Sequence, residues 1–111
     1  DTFGHDVGDE VLVDLSRIIH KIVRQGDFIA RWGGEEFMIA LQATNYIQAS
    51  ALAEKLRAAV EKHSFNTVEK ITISLGVTEY KNGESENGFI KRVDKALYEA
   101  KDSGRNRVVV K

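Results

Sequence analysis

Two strand-like runs meet at Gly33-Gly34, and this junction constrains the fold more than any other feature of the chain. Asp27-Phe28-Ile29-Ala30-Arg31-Trp32 precedes the glycines and Glu35 to Leu41 follows them. Such a junction predicts a tight hairpin, because primed turns need positive φ at both central positions and glycine has no Cβ to oppose it. Apolar residues at helical spacing mark three further segments. Val7, Val11, Leu12, Leu15, Ile18, Ile19, Ile22 and Val23 form one stripe, with Asp6 as the expected cap and Asp9 and Glu10 at the positive end of the dipole. A second helix is expected over Tyr46–His63, where Asn45 and Gln48 have capping-box spacing and Ala49, Leu52, Ala53, Leu56, Ala59 and Val60 line one face. A third is expected over Glu86–Asp102, with Phe89, Ile90, Val93, Leu97 and Ala100 inward and Ser103-Gly104 closing it.

Between the second and third helices, Ile71, Ile73, Leu75 and Val77 alternate with polar or small residues, the period of a half-buried strand. Asn82-Gly83 turns the chain, and Val108-Val109-Val110 predicts a short last strand. Proline is absent, so Gly, Asn and Asp supply all punctuation. The order helix, strand, strand, helix, strand, helix, strand implies an α+β, ferredoxin-like fold: one domain over residues 1–111, a sheet with covering helices.

Composition removes several functions. Without cysteine the chain has no disulfide framework, thiolate metal site or Cys nucleophile, and a reducing, cytoplasmic setting suits it. A formal net charge of −1 gives no global electrostatic case for nucleic acid or a membrane surface. No apolar run approaches the roughly 20 residues that span a bilayer, and Asp1-Thr2-Phe3-Gly4-His5 is not a signal peptide. The charge is uneven. Residues 1–55 hold five Lys/Arg against nine Asp/Glu, and residues 91–111 hold seven against three. Solvated helix faces would account for this; so would a small anionic ligand that binds with a cation.

The hairpin is where chemistry concentrates. Two glycines allow a ligand to approach the backbone closely, and Glu35 and Glu36 follow at once on alternate faces. Paired carboxylates suit a hard divalent cation, though charges on a solvated turn can also protect a sheet edge. Arg31-Trp32-Gly33-Gly34-Glu35-Glu36-Phe37 resembles the signature of the GGDEF family, the bacterial diguanylate cyclases, in its Glu variant. Asp1-Thr2-Phe3-Gly4-His5-Asp6-Val7-Gly8-Asp9 resembles the family's substrate segment. Ile73-Ser74-Leu75-Gly76-Val77 resembles its penultimate core strand, and Ala96 to Asn106 its closing helix. Four blocks in order along the whole chain make the resemblance specific.

The resemblance implies a nucleotidyl-cyclase-like sheet and the condensation of two GTP into cyclic di-GMP with release of pyrophosphate, by two domains meeting face to face as a homodimer. It implies Mg2+ or Mn2+ held by Glu35 and Glu36, the latter also a candidate for deprotonating the 3′-hydroxyl. Asp9 would read the guanine edge, His5 would lie near the substrate, and Gly33 and Gly34 would let the nucleotide lie on the hairpin. Lys101 and Arg105 would grip phosphates; otherwise they are ordinary cations at a helix C-terminus, as Asp9 is otherwise a first-turn acid. Arg24-Gln25-Gly26-Asp27 resembles the family's inhibitory RxxD motif, which binds cyclic di-GMP, with a further basic residue expected at Lys55. Lysine there departs from the arginine often found and cannot give a planar bidentate contact.

The resemblance covers about the last two-thirds of the family's domain. The usual first strand and helix, with a metal-binding Asp, a following Lys and an Asn before Asp1, are not in these residues. On that reading the 111-residue chain is expected to be inactive alone and to self-associate, with Ile73 and Leu75 short of partners. An upstream sensor domain, no nucleic-acid partner and no membrane contact complete the expectation. The rival is a non-catalytic cyclic di-GMP or GTP receptor.

Overall fold

The structure, a computed structural model, describes residues 8–33, 36–66 and 70–111. Its elements are α1 (Asp9–Ile22), β1 (Phe28–Gly33), β2 (Glu36–Ala40), α2 (Tyr46–Lys62), β3 (Leu75–Val77), α3 (Glu86–Asp102) and β4 (Val108–Val110). Their order and kinds are those the sequence predicts. On α1 the spacing of four turns into burial, with Val11, Leu15 and Ile19 inward. Its N-cap is Gly8, in extended backbone and without a side-chain cap; the cap expected from Asp6 falls on a residue outside those described. Asp9 and Glu10 in the first turn still complement the helix dipole. The capping box of α2 forms in full: the Gln48 N–H donates to Asn45 Oδ1 at 2.8 Å and the Asn45 N–H donates to Gln48 Oε1 at 3.2 Å. On α3 the Gly88 N–H donates to Ser85 Oγ at 3.0 Å.

The strands fall into two separate pairs among the described residues. β1 and β2 run antiparallel, and β3 and β4 run parallel. Gly33 pairs with Glu36, so Gly33 ends β1 instead of sitting in the turn, and the register shifts between Arg31 and Gly33. The strand expected over the whole run from Ile71 to Val77 forms a ladder only at Leu75–Val77. The reason is its partner, since β4 offers three residues and Val108, Val109 and Val110 pair with Leu75, Gly76 and Val77. Upstream of the ladder, alternation still governs burial. Ile71 joins a core cluster with Val11, Leu15 and Val60, and Ile73 packs against it. Of the two residues expected to lack partners, Ile73 packs on that cluster, and the Leu75 N–H donates to the Arg107 carbonyl at 2.9 Å, while both side chains still line an apolar cavity.

Packing follows from these faces. α1 lies on α2, α2 lies on β3 and β4, and α3 lies on the same two strands. Leu56, Val60, Ala96 and Ala100 are almost completely buried in these contacts. The backbone of the β1–β2 hairpin stands away from the three described helices. An apolar cavity of about 680 Å³ lies between it and the rest, walled by Leu15, Ile19, Phe37, Ile39, Leu56 and Leu75 among others. No helix among the described residues is long and apolar enough to cross a membrane.

Candidate functional site

The hairpin and the end of α3 meet through one ion pair. Glu36 opens β2, and Lys101 stands in the last turn of α3. Their Oε2 and Nζ are 3.2 Å apart, 65 residues apart in sequence. Both side chains are half-buried or more, with 20% of Lys101 and 38% of Glu36 exposed. The pair is thus more than a chance surface contact, and it links the hairpin to the end of α3.

Beyond Lys101 the helix is closed firmly. The Ser103 N–H donates to the Glu99 carbonyl at 2.9 Å, and the Arg105 N–H donates to Ala100 at 2.9 Å. Gly104 takes φ +128°, which only glycine adopts freely. Arg105 follows in left-handed backbone at φ +63°. The i, i+4 pair Lys101 and Arg105 is therefore placed where the chain turns out of α3 toward β4. Asp9 is exposed at the start of α1, and α1 packs on α2, not on the hairpin. The described residues do not bring Asp9 to the Glu36–Lys101 pair. The expectations for His5, Gly34 and Glu35 fall on residues outside those described, and Gly33 is placed only as the last residue of β1.

Arg24 and Asp27 do come together. The Arg24 N–H donates to Asp27 Oδ2 at 3.0 Å and its Nε lies 3.6 Å from the same oxygen. The Gln42 N–H donates to Asp27 Oδ1 at 3.3 Å, and Arg24 Nη2 donates to the Gln42 carbonyl at 3.1 Å and to Thr44 Oγ1 at 2.8 Å. Burial of Asp27 acts to raise its pKa. The two backbone donors and the Arg24 charge outweigh that and hold the carboxyl below its ordinary value. The motif thus ties the start of β1 to the segment after β2. Asp27 is used internally, whereas most of the Arg24 side chain is exposed. A shallow surface hollow runs from His20 to Ile29 past both residues; Lys55, exposed on α2, does not line it.

The sequence reading missed one cluster beside the site. Arg57 on α2 donates to both oxygens of Glu54, at 2.8 and 2.6 Å, to Glu61 Oε1 at 3.2 Å and to Asn106 Oδ1 at 2.9 Å. Hydrogen bonds from Asn106 and Arg57 hold the Glu61 carboxyl below its usual range. The i, i+3 and i, i+4 spacing of Glu54, Arg57 and Glu61 signals a helix-face network, but nothing in the spacing points to Asn106.

Whether the donor set suits a divalent cation is a question of oxygen count. Among the described residues no group of three or more His, Asp and Glu could hold a metal ion. Mg2+ commonly uses one or two carboxylates and completes its shell with water and substrate phosphates. Glu36 fits that pattern as one hard donor, its Oε2 now paired with the Lys101 ammonium.

A family model described as "Diguanylate cyclase, GGDEF domain" matches residues 1–107. The chain belongs to this GGDEF family. Diguanylate cyclase DgcM of Escherichia coli K12 is 46% identical over 109 residues, which are 98% of this chain and 27% of the relative. The active GGEEF domain of a diguanylate cyclase from Vibrio cholerae superposes with a TM-score of 0.87 at 39% identity, covering 97% of this chain and 70% of that one. The GGDEF domain of DgcB from Caulobacter crescentus, solved in complex with c-di-GMP, gives 0.87 at 34% identity, covering 99% and 66%. This GGDEF chain therefore spans about a quarter of the length of the DgcM relative it matches, and its α+β fold is that of the solved GGDEF domains.

Proposed function

We propose that this domain condenses two GTP into cyclic di-GMP with release of pyrophosphate, each of two face-to-face copies holding one GTP. The observation that carries the reading is the Glu36–Lys101 pair, which sets a hairpin carboxylate against the cationic end of α3. A triphosphate brings several negative charges and needs them neutralised in place. Lys101 and Arg105 would grip phosphate oxygens, Lys as a point charge and Arg through its planar fork. Glu36, relieved of Lys101 by the phosphates, would with Glu35 hold Mg2+ or Mn2+, which when bound neutralises triphosphate charge. Gly33 and Gly34 would let the nucleotide approach the backbone. Asp9 would accept from the guanine N1–H and N2–H, with His5 beside the substrate. The contribution of the chain is then largely positional: it holds one 3′-hydroxyl in line with the α-phosphate held by the other copy. Product feedback would use Arg24, whose exposed guanidinium can reach a ligand, together with Asp27 and Lys55.

The test is incubation of the full-length protein with GTP and Mg2+, with nucleotides separated by chromatography. Cyclic di-GMP and pyrophosphate should appear, and Glu36→Gln should lower the rate by about 100-fold or more. Unchanged turnover in that variant removes Glu36 from the site. A wild-type protein that binds cyclic di-GMP and never forms it is a receptor instead.

A further inference from the structure

Gly104, Arg105 and Asn106 have φ of +128°, +63° and +47°, three left-handed residues in succession. Glycine takes such angles freely and asparagine tolerates them; arginine does so only when its surroundings impose it. Closing α3 does not demand this, because the Ser103 N–H already caps the helix on Glu99 and Gly104 already turns the chain. The Arg105 backbone is held directly, its N–H on the Ala100 carbonyl at 2.9 Å and its carbonyl accepting from Arg107 Nε at 3.0 Å, and it is held further by the next residue. Asn106 Oδ1 accepts from Arg57 Nη1 at 2.9 Å, Asn106 Nδ2 donates to Glu61 Oε2 at 2.6 Å, and the Asn106 N–H donates to Ser74 Oγ at 3.1 Å. Arg57 and Glu61 are themselves joined at 3.2 Å, so the three side chains close a triangle. The turn is thereby pinned to α2 and to the segment entering β3 at once.

We propose that Asn106, backed by Arg57 and Glu61, is a positioning residue that fixes the Arg105 backbone and so aims its guanidinium at substrate phosphate. This rests on the phosphate-gripping role of Arg105 in the proposed function. An arginine on a loose turn must give up backbone and side-chain freedom when it binds; one already held in place gives up less. Asparagine serves where alanine would not, because the position needs an acceptor toward Arg57, a donor toward Glu61 and tolerance of left-handed φ.

The experiment uses the full-length protein, inorganic tripolyphosphate as probe, and a double-mutant cycle over Arg105→Ala and Asn106→Ala. Calorimetric titration should show Asn106→Ala weakening tripolyphosphate binding about tenfold, and should show no further loss when Arg105 is already Ala. The Arg105 amide, bonded to Ala100, should exchange its hydrogen faster in Asn106→Ala while the α2 amides stay protected. Glu61→Gln, which keeps the shape and weakens the triangle, should give a smaller loss of the same kind. Additive losses in the cycle, unchanged affinity, or unchanged exchange at Arg105 would each overturn the positioning role while leaving the phosphate reading intact. Failure of the wild-type protein to bind tripolyphosphate would sink both together.

Discussion

Gly76 has no side chain because α3 leaves no room for one. A Cβ built there would overlap the Leu97 backbone nitrogen and come within 2.7 Å of the Val93 carbonyl oxygen and 2.9 Å of the Ala96 carbonyl carbon. All three are backbone, so no rotamer change relieves the clash. Ala96 and Ala100 are fully buried on α3, small residues that bring the helix onto the strands. Gly76→Ala should therefore cost about 3 kcal/mol or more, visible as a fall of roughly 10 °C in Tm. Gly83→Ala is the control: it meets nothing within 4 Å and has only its φ of +86° to lose, a cost of about 1 kcal/mol. Equal Tm values for the two variants would refute the close approach. The alternation around Gly76 was legible in the sequence as a strand; the reason for glycine was not, because it depends on a helix twenty residues later.

At the scale of elements, one ion pair fixes how β3 passes into α3. Arg92 Nη1 and Nη2 donate to Glu84 at 2.6 and 2.7 Å, while Nε donates to Thr78 Oγ1 at 2.6 Å and Nη2 to the Glu79 carbonyl at 2.8 Å. The Lys81 N–H also donates to Glu84 at 2.6 Å. Arg92 first, then that backbone donor, hold the Glu84 carboxyl down at about 2 against an ordinary 4.5. A carboxyl whose folded pKa is depressed stabilises the fold above its unfolded pKa and loses that contribution as pH falls through its folded one. Stability should thus decline from about pH 4.5 toward 2. Glu84→Gln should lower Tm at neutral pH and flatten part of the acid decline; Asp27, Glu54 and Glu61, also shifted down, keep the remainder. Thermal scans across this range decide it, and an unaltered slope in Glu84→Gln would remove Glu84 as a source. The asparagine-glycine turn nearby was plain in the sequence. The Arg92 clamp was not, since a charged residue on an amphipathic helix looks like any solvated one until its partners are placed.

At the scale of the molecule, the three helices and four strands were legible because their apolar periods and punctuation are local. The capping box of α2 could be named from two residues. Beyond the β1–β2 hairpin, how the strands pair could not be read, because alternation gives a strand its faces and says nothing of its neighbours. The ladder from Ile71 shortened to three residues for that reason, and the Glu36–Lys101 contact was not legible: the resemblance put both residues at the substrate and said nothing of their pairing. The pairing has a physical consequence. Among the described residues β2 pairs with β1 alone and β3 with β4 alone, so each ladder turns an edge toward the 680 Å³ apolar cavity between them. Strand edges beside apolar walls recruit extended chain from another molecule. The 111-residue chain should accordingly self-associate as its concentration rises, with amides of β2 and β3 gaining exchange protection in the associated form. Light scattering over a concentration series, paired with hydrogen exchange, tests this. A monomer at every concentration, with those amides exchanging freely, would mean that the cavity walls close on each other in solution and that the two ladders need no third partner.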